Sequence, residues 1–322
     1  MAGVSTNLHE RVEIFKDIFG SIQQDMTALA VPKYFPGIVG AAPFGKIKKR
    51  IAGHLWDGGV AGEYKVGPSD TAHPIQQMTY GSVDYQCQYR RTKDFVPDEE
   101  IWGQAELPDE VFADRAENLS RTLLLQRELD LINQIKSTAD VQNLHLTTKW
   151  SDDAAEPVND LLTWIDQVPG ANFIFVPRDV HNRYMVHPNV RDKMPVDQWQ
   201  LMMGPEEINA QLSGRLGVLY AVYDVKVANA PTSEVSAATL VSRYTNRIWI
   251  GKIDQNLVPG GGRGYYQNSN AISIAHMDAD SLQYEEKREI DPPGYLMIAK
   301  LAYDMVHVGA SKLITNVLTN EG

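Results

Sequence analysis

The sequence predicts an α+β chain: a compact mixed module joined to long segments that have no core of their own. Three observations carry this. One helical pattern, residues 109–137, is far longer than an ordinary globular helix. Residues 31–98 contain no helical pattern and many Pro and Gly residues. After residue 150, short strand and helix patterns are interspersed.

The elements follow in order. Leu8, Val12, Phe15, Ile18, Phe19 and Ile22 recur at helical spacing and predict a helix over 6–30. Residues 31–62 read as an extended arm, and the basic cluster KIKKR (46–50) within it as a solvated turn. In DYQCQYR, Tyr85, Cys87 and Tyr89 alternate with polar residues, which is a strand with two unlike faces. GEYKVG is its expected partner. A two-stranded ribbon is marginal in water unless it lies on something else. The helix of 109–137 begins with Asp109 and Glu110 and ends with Lys136, each complementing its dipole. At 1.5 Å per residue it spans about 40 Å. Then come a helix in EPVNDLLTWIDQV, a buried strand NFIFV, a helix RDVHNRYMVH stopped by Pro188, and a helix in GPEEINAQLSGRLG. VLYAVYDVKVA, NRIWIGKI and NAISIAHM read as strands. YEEKREIDPP reads as a charged surface segment.

Chemistry is hard to place on this chain. His181 and His187 are six apart, which does not suit a helical metal pair, and His187 is better read as capping carbonyls at a partly exposed helix end. VPGGGRGYY (258–266) lacks the Lys-Ser/Thr of a phosphate loop and the helix of a dinucleotide site, so it reads as a surface loop. Cys87 is the one cysteine, which excludes an intrachain disulfide and a Cys-based zinc centre. There is no GxSxG elbow. No apolar run reaches the roughly 18 residues of a membrane span. A net charge of −11 argues against a protein that grips nucleic acid. The reading is a non-enzyme without cofactor or metal.

The order of elements and two local stretches supply the rest. LTTKWSDDAAEPVNDLLTWIDQV followed by NFIFVPRDVHNRYMVHPNVRDKM, with NRIWIGKI and EEKREIDPPGYLMIAKLAYDMVHVGASKLITNVL later, resembles the tailed-bacteriophage major capsid proteins of the HK97 fold. The resemblance covers about residues 60–318. It implies an N-terminal arm at 1–57, an extended E-loop at 58–98 and a peripheral domain with its spine helix at 99–150. It further implies an axial domain at 151–270, return strands at 271–308 and a C-terminal segment at 309–322. The implied function is structural: hexamers and pentamers of an icosahedral head around double-stranded DNA, which is enclosed but not specifically bound. The partners would be further copies, a separate scaffolding protein, a portal and an optional decoration protein, with assembly in the host cytoplasm and no membrane. No large cleaved pro-segment and no covalent cross-link are expected. Candidate inter-subunit contacts are Tyr64, Tyr80, Tyr85, Tyr89, Arg90, Arg91, Arg121, Arg127, Pro259 and Arg263. The charges of 172–194 would face solvent or a neighbouring copy. The alternatives are an encapsulin-like shell around cargo enzyme and, last, an α/β enzyme with a phosphate at Gly260–Gly264.

Overall fold

The stretch PGYLMIAKLAYDMVH has no proline or glycine after its second residue and is rich in apolar side chains. It forms a single 15-residue strand, β14 (Pro293–His307). In the computed structural model this strand is the axis of a five-stranded sheet. The model describes residues 15–19, 21, 29–35, 37–38, 41–50, 80–103, 108–137, 141–146, 148–168, 170–192, 212–214, 216–228, 240–253, 265–266, 271–277, 282–309 and 311–319. One edge of β14 pairs antiparallel with β4 (Gln88–Pro97), from Gly294↔Pro97 to Tyr303↔Gln88. The other edge is shared end to end by β13 (Leu282–Ile290) and β12 (Ile272–His276), which in turn carries the short β1 (Gly37–Ile38).

The long helix, Pro108–Ser137, covers this sheet. Its spacing explains why: Phe112, Ala116, Leu119, Leu123, Leu131 and Ile135 recur every three, four or eight residues and are all buried against Met297, Ala299, Leu301 and Tyr303. Polar links fix the register. Asp130 on the helix accepts from Arg90 at 3.0 Å and from the Tyr303 hydroxyl at 2.7 Å. Arg115 reaches Glu100 at 2.9 Å and Asp94 at 3.3 Å.

A second sheet runs β5 (Val141–His145), β15 (Ser311–Thr315), β10 (Arg247–Gly251), β6 (Phe173–Pro177), β7 (Leu219–Tyr223). Its central strands are apolar without alternation because both faces are covered. Phe173, Phe175, Trp249 and Leu313 join the core under the long helix. Ile174, Val176, Ile248, Ile250 and Ile314 face the other way. They pack under the helices Pro157–Asp166 and Arg178–Val186, where Trp150 stacks on Trp164.

Several expectations change. Residues 15–19 are helical, but Ala30–Tyr34 forms its own short helix instead of ending a single one. The start of the supposed arm is packed, not free: Phe35 lies among Phe173, Phe175 and Trp249, and Phe15 stacks on Tyr284. KIKKR is not a turn. It belongs to strand β2 (Phe44–Arg50), the antiparallel partner of β3 (Tyr80–Gln86), with Tyr265–Tyr266 as β11 on its far edge. GEYKVG lies outside the described residues. The charged segment YEEKREI is strand β13, because its backbone completes the edge of β14 whatever its side chains prefer. The strand over 219–228 breaks at Asp224 into β7 and β8 (Lys226–Ala228), which pairs with β9 (Leu240–Ser242). Of the stretch GPEEINAQLSGRLG, residues 212–214, 216 and 217 are described; the first four are helical and Gly217 follows as a turn with φ at 68°. Of the Gly-rich stretch 258–266, residues 258–264 lie outside the described residues, and Tyr265–Tyr266 are the strand β11, not loop. Among the described residues no helix is long and apolar enough to cross a membrane.

Candidate assembly surfaces

Part of the charged stretch after β6 is bound to its own chain. Pro177 closes the strand, and the helix Arg178–Val186 runs back across the sheet with Val180, His181 and Tyr184 buried. Arg183 on its outer flank donates to the carbonyls of Trp150 and Ser151, both at 2.7 Å, and to Asp153 at 2.9 Å. His187 is fully buried: Nδ1 accepts from Asn189 N–H, and Nε2 donates to the Asp152 carbonyl at 2.9 Å. Asn189 in turn donates to the Ala155 carbonyl at 2.5 Å. Arg183, His187 and Asn189 therefore clamp the loop 150–155, whereas Arg178, Arg191 and Asp192 stand exposed, as expected for charges that face solvent or a neighbour. His187 does cap carbonyls, but at a closed site with both ring nitrogens used, because that loop folds over the helix end. Burial, aided by the Arg178 charge, lowers the His181 pKa to about 4, so it packs beside Tyr220 as a neutral ring. Nothing in this arrangement offers a nucleophile or a poised acid–base pair to a substrate.

The ten candidate contacts separate by exposure. Tyr64, Pro259 and Arg263 lie outside the described residues, and Tyr80 is described only by its backbone pairing to Arg50. Tyr85 is 4% exposed and sits in a small core with Ala41, Ile47 and Val306; its ring lies over Gly45, where a Cβ would approach its hydroxyl to 2.7 Å. Arg127, on the buried side of the long helix, is 6% exposed. Within the subunit neither presents a surface. Arg90 is held by Asp130 and lies 5.8 Å from the Tyr303 ring. Arg121 pairs one turn back with Glu117 on the outside of the long helix, where both remain about half exposed. Tyr89 and Arg91 stand exposed on β4.

Three large apolar side chains that the sequence did not single out are far more exposed: Phe44 at 75%, Trp102 at 72% and Ile290 at 89%. Trp102 and Ile290 share one end of the first sheet. There Arg288 of β13 forks onto Asp98, the first residue of the helix Asp98–Gly103 that follows β4. No spacing rule could have marked them, since their exposure depends on where a hairpin and a short helix end in space.

No protein-family model matches the chain, and no curated protein matches it in sequence. Solved structures do match in shape. A phage-related protein from Bordetella bronchiseptica RB50 superposes with a TM-score of 0.63 at 16% identity, over 94% of this chain and 96% of that one. The fold is that of the HK97-type capsid proteins. Two further matches in shape are a virus-like particle from Pyrococcus furiosus and the capsid of a native GTA particle. The first has a TM-score of 0.51 at 11% identity, over 95% of this chain and 98% of that one. The second has a TM-score of 0.52 at 10% identity, over 91% of each. Each comparison covers more than nine-tenths of both chains.

Proposed function

We propose that this chain is the shell subunit of an icosahedral phage head, assembling as hexamers and pentamers around double-stranded DNA. The observation that carries the reading is the near end-to-end match to a phage-related protein, with a virus-like particle and a GTA capsid among the other matches. The subunit's own chemistry supports it. Arg183 and His187 are spent on internal clamps, and among the described residues the most exposed large apolar side chains sit at element ends, where further copies would cover them. The net charge of −11 suits a container whose wall does not hold packed DNA tightly. In this reading the arm is 1–57, the E-loop 58–98, the peripheral domain 99–150 and the axial domain 151–270. Return strands follow at 271–308 and the C-terminal segment at 309–322. Among the described residues, Tyr89, Arg91 and Arg121 are contact candidates that stay accessible, joined by Phe44, Trp102 and Ile290. A separate scaffolding protein, a portal and a decoration protein complete the set of partners.

The test is negative-stain electron microscopy of the purified chain, alone and with a scaffolding candidate, beside light scattering. Closed shells, tubes or rings of five and six are expected. A small oligomer of fixed size under both conditions would overturn the reading. Nuclease-protected DNA inside native particles identifies a phage head; protein cargo in its place would move the chain to the encapsulin-like compartments.

A further inference from the structure

Glu128 sits in the C-terminal half of the long helix and is 1% exposed. Its two carboxylate oxygens accept backbone N–H groups from a segment almost a hundred residues away. Oε1 takes Val31 N–H at 2.7 Å, and Oε2 takes Ala30 N–H at 3.1 Å. These are the first N–H groups of the helix Ala30–Tyr34, whose preceding residue, Leu29, offers no side-chain cap. The carboxylate thus caps a helix from outside it and fastens segment 29–35 onto the long helix.

We propose that Glu128 is a proton-operated latch that makes the docking of segment 29–35 on the long helix depend on pH. The inference rests on contacts within one subunit and holds whether or not the chain builds shells.

The surroundings make the carboxyl of Glu128 the group that changes. Burial raises its pKa from 4.5 to about 7, against the opposing pull of the Val31 and Ala30 N–H groups and of Arg127. Arg127, beside it, is itself buried and leaves Nε and Nη2 without a hydrogen-bond partner, so it does not neutralise the carboxylate through a bonded pair. Tyr223 of β7 faces Glu128, and burial raises its pKa far above neutrality. Tyr303 of β14 faces Arg127 and is shifted upward in the same way. His276 of β12, also near Arg127, is lowered to about 4 by burial and by that charge. The docked segment contributes only Lys33, which is exposed, and Tyr34, which packs on Phe173. Between pH 5 and 8, Glu128 is the member of this cluster whose charge changes.

The direction follows from linkage. The docked state holds a proton that an undocked, hydrated Glu128 releases down to its ordinary pKa. Docking is therefore strongest below pH 4.5 and weakens as pH rises through 7. If the freed carboxyl titrates as it does in water, the docking equilibrium falls about seventyfold between pH 5 and pH 8.

The experiment is hydrogen–deuterium exchange of the full-length protein between pH 5 and 8, corrected for intrinsic exchange. It follows a peptide covering 29–35, with a peptide over 173–177 as the reference for global opening. Protection of 29–35 should decline by tens of fold toward pH 8 while the reference holds. Glu128→Gln, which cannot ionise, should flatten the profile, and His276→Gln should leave it intact. A flat wild-type profile overturns the latch. So does an unchanged slope in Glu128→Gln, or a slope lost in His276→Gln. Should Glu128→Gln not fold, the wild-type and His276→Gln series decide alone.

Discussion

Asn246 joins the second sheet to the residues that follow β15, and its contribution can be worked out bond by bond. The residue is 6% exposed, with φ at 55°, in the left-handed region that Asn tolerates better than most residues. Its Oδ1 accepts Leu318 N–H at 2.5 Å and Thr319 N–H at 3.2 Å, and its Nδ2 donates to the Thr319 carbonyl at 2.7 Å. Asn246→Gly keeps the backbone conformation and removes these three bonds and a fourth, from Nδ2 to the Thr319 hydroxyl at 3.3 Å, a loss of about 4 kcal/mol at about 1 kcal/mol each. Asn246→Ala removes the same bonds and adds a Cβ in the left-handed region, worth about 1 kcal/mol more. The assay is urea unfolding followed by tryptophan fluorescence, for which Trp150 and Trp164 report from the adjoining core. The order should be wild type, then Asn246→Gly, then Asn246→Ala, with an unchanged denaturant slope. An Asn246→Gly protein within 1 kcal/mol of wild type would show that water replaces the clamp. An Asn246→Ala protein more stable than Asn246→Gly would refute the backbone argument.

Two further outcomes are expected. Burial, helped by the Asp304 charge, raises the Cys87 thiol from 9.0 to about 11, so its thiolate fraction at pH 8 is about a hundredfold below that of an ordinary thiol. Iodoacetamide should label the folded protein slowly and the urea-unfolded protein quickly, and equal rates would contradict the burial. Trp102→Ser should change subunit stability by no more than about 0.5 kcal/mol, because the side chain touches little in its own chain. It should nonetheless lower the yield of shells in electron micrographs; a normal yield would remove Trp102 from the contact candidates.

The sequence revealed whichever elements carry their own signal. The long helix runs Pro108–Ser137 against an expected 109–137, because its apolar stripe and terminal charges are local. FIFV announced a strand buried on both faces by the lack of any alternation. Elements that exist only through a distant partner were misread. YEEKREI has too many charges to look like a strand, yet β14 supplies all its pairing from Pro293 onward. Phe44–Arg50 becomes a strand through 80–86. The same limit governs the candidate surfaces. Tyr85 and Arg127 are of side-chain types that often meet partners, yet the fold turns both inward. Trp102 and Ile290 carry no pattern at all.

The placement of β14 and β15 bears on how the protein is made. Residues 88–97 wait for Gly294–Tyr303, and residues 141–145 wait for Ser311–Thr315. Neither sheet can close until those late strands have left the ribosome. Until then the long helix, complete since residue 137, has no sheet to lie on and exposes its apolar stripe. Such long-range pairing slows folding, since distant segments must meet before any contact compensates for the lost chain entropy. It also acts as a timer. A polysome carries many nascent copies side by side, and none can present finished sheets to its neighbours while still being synthesised.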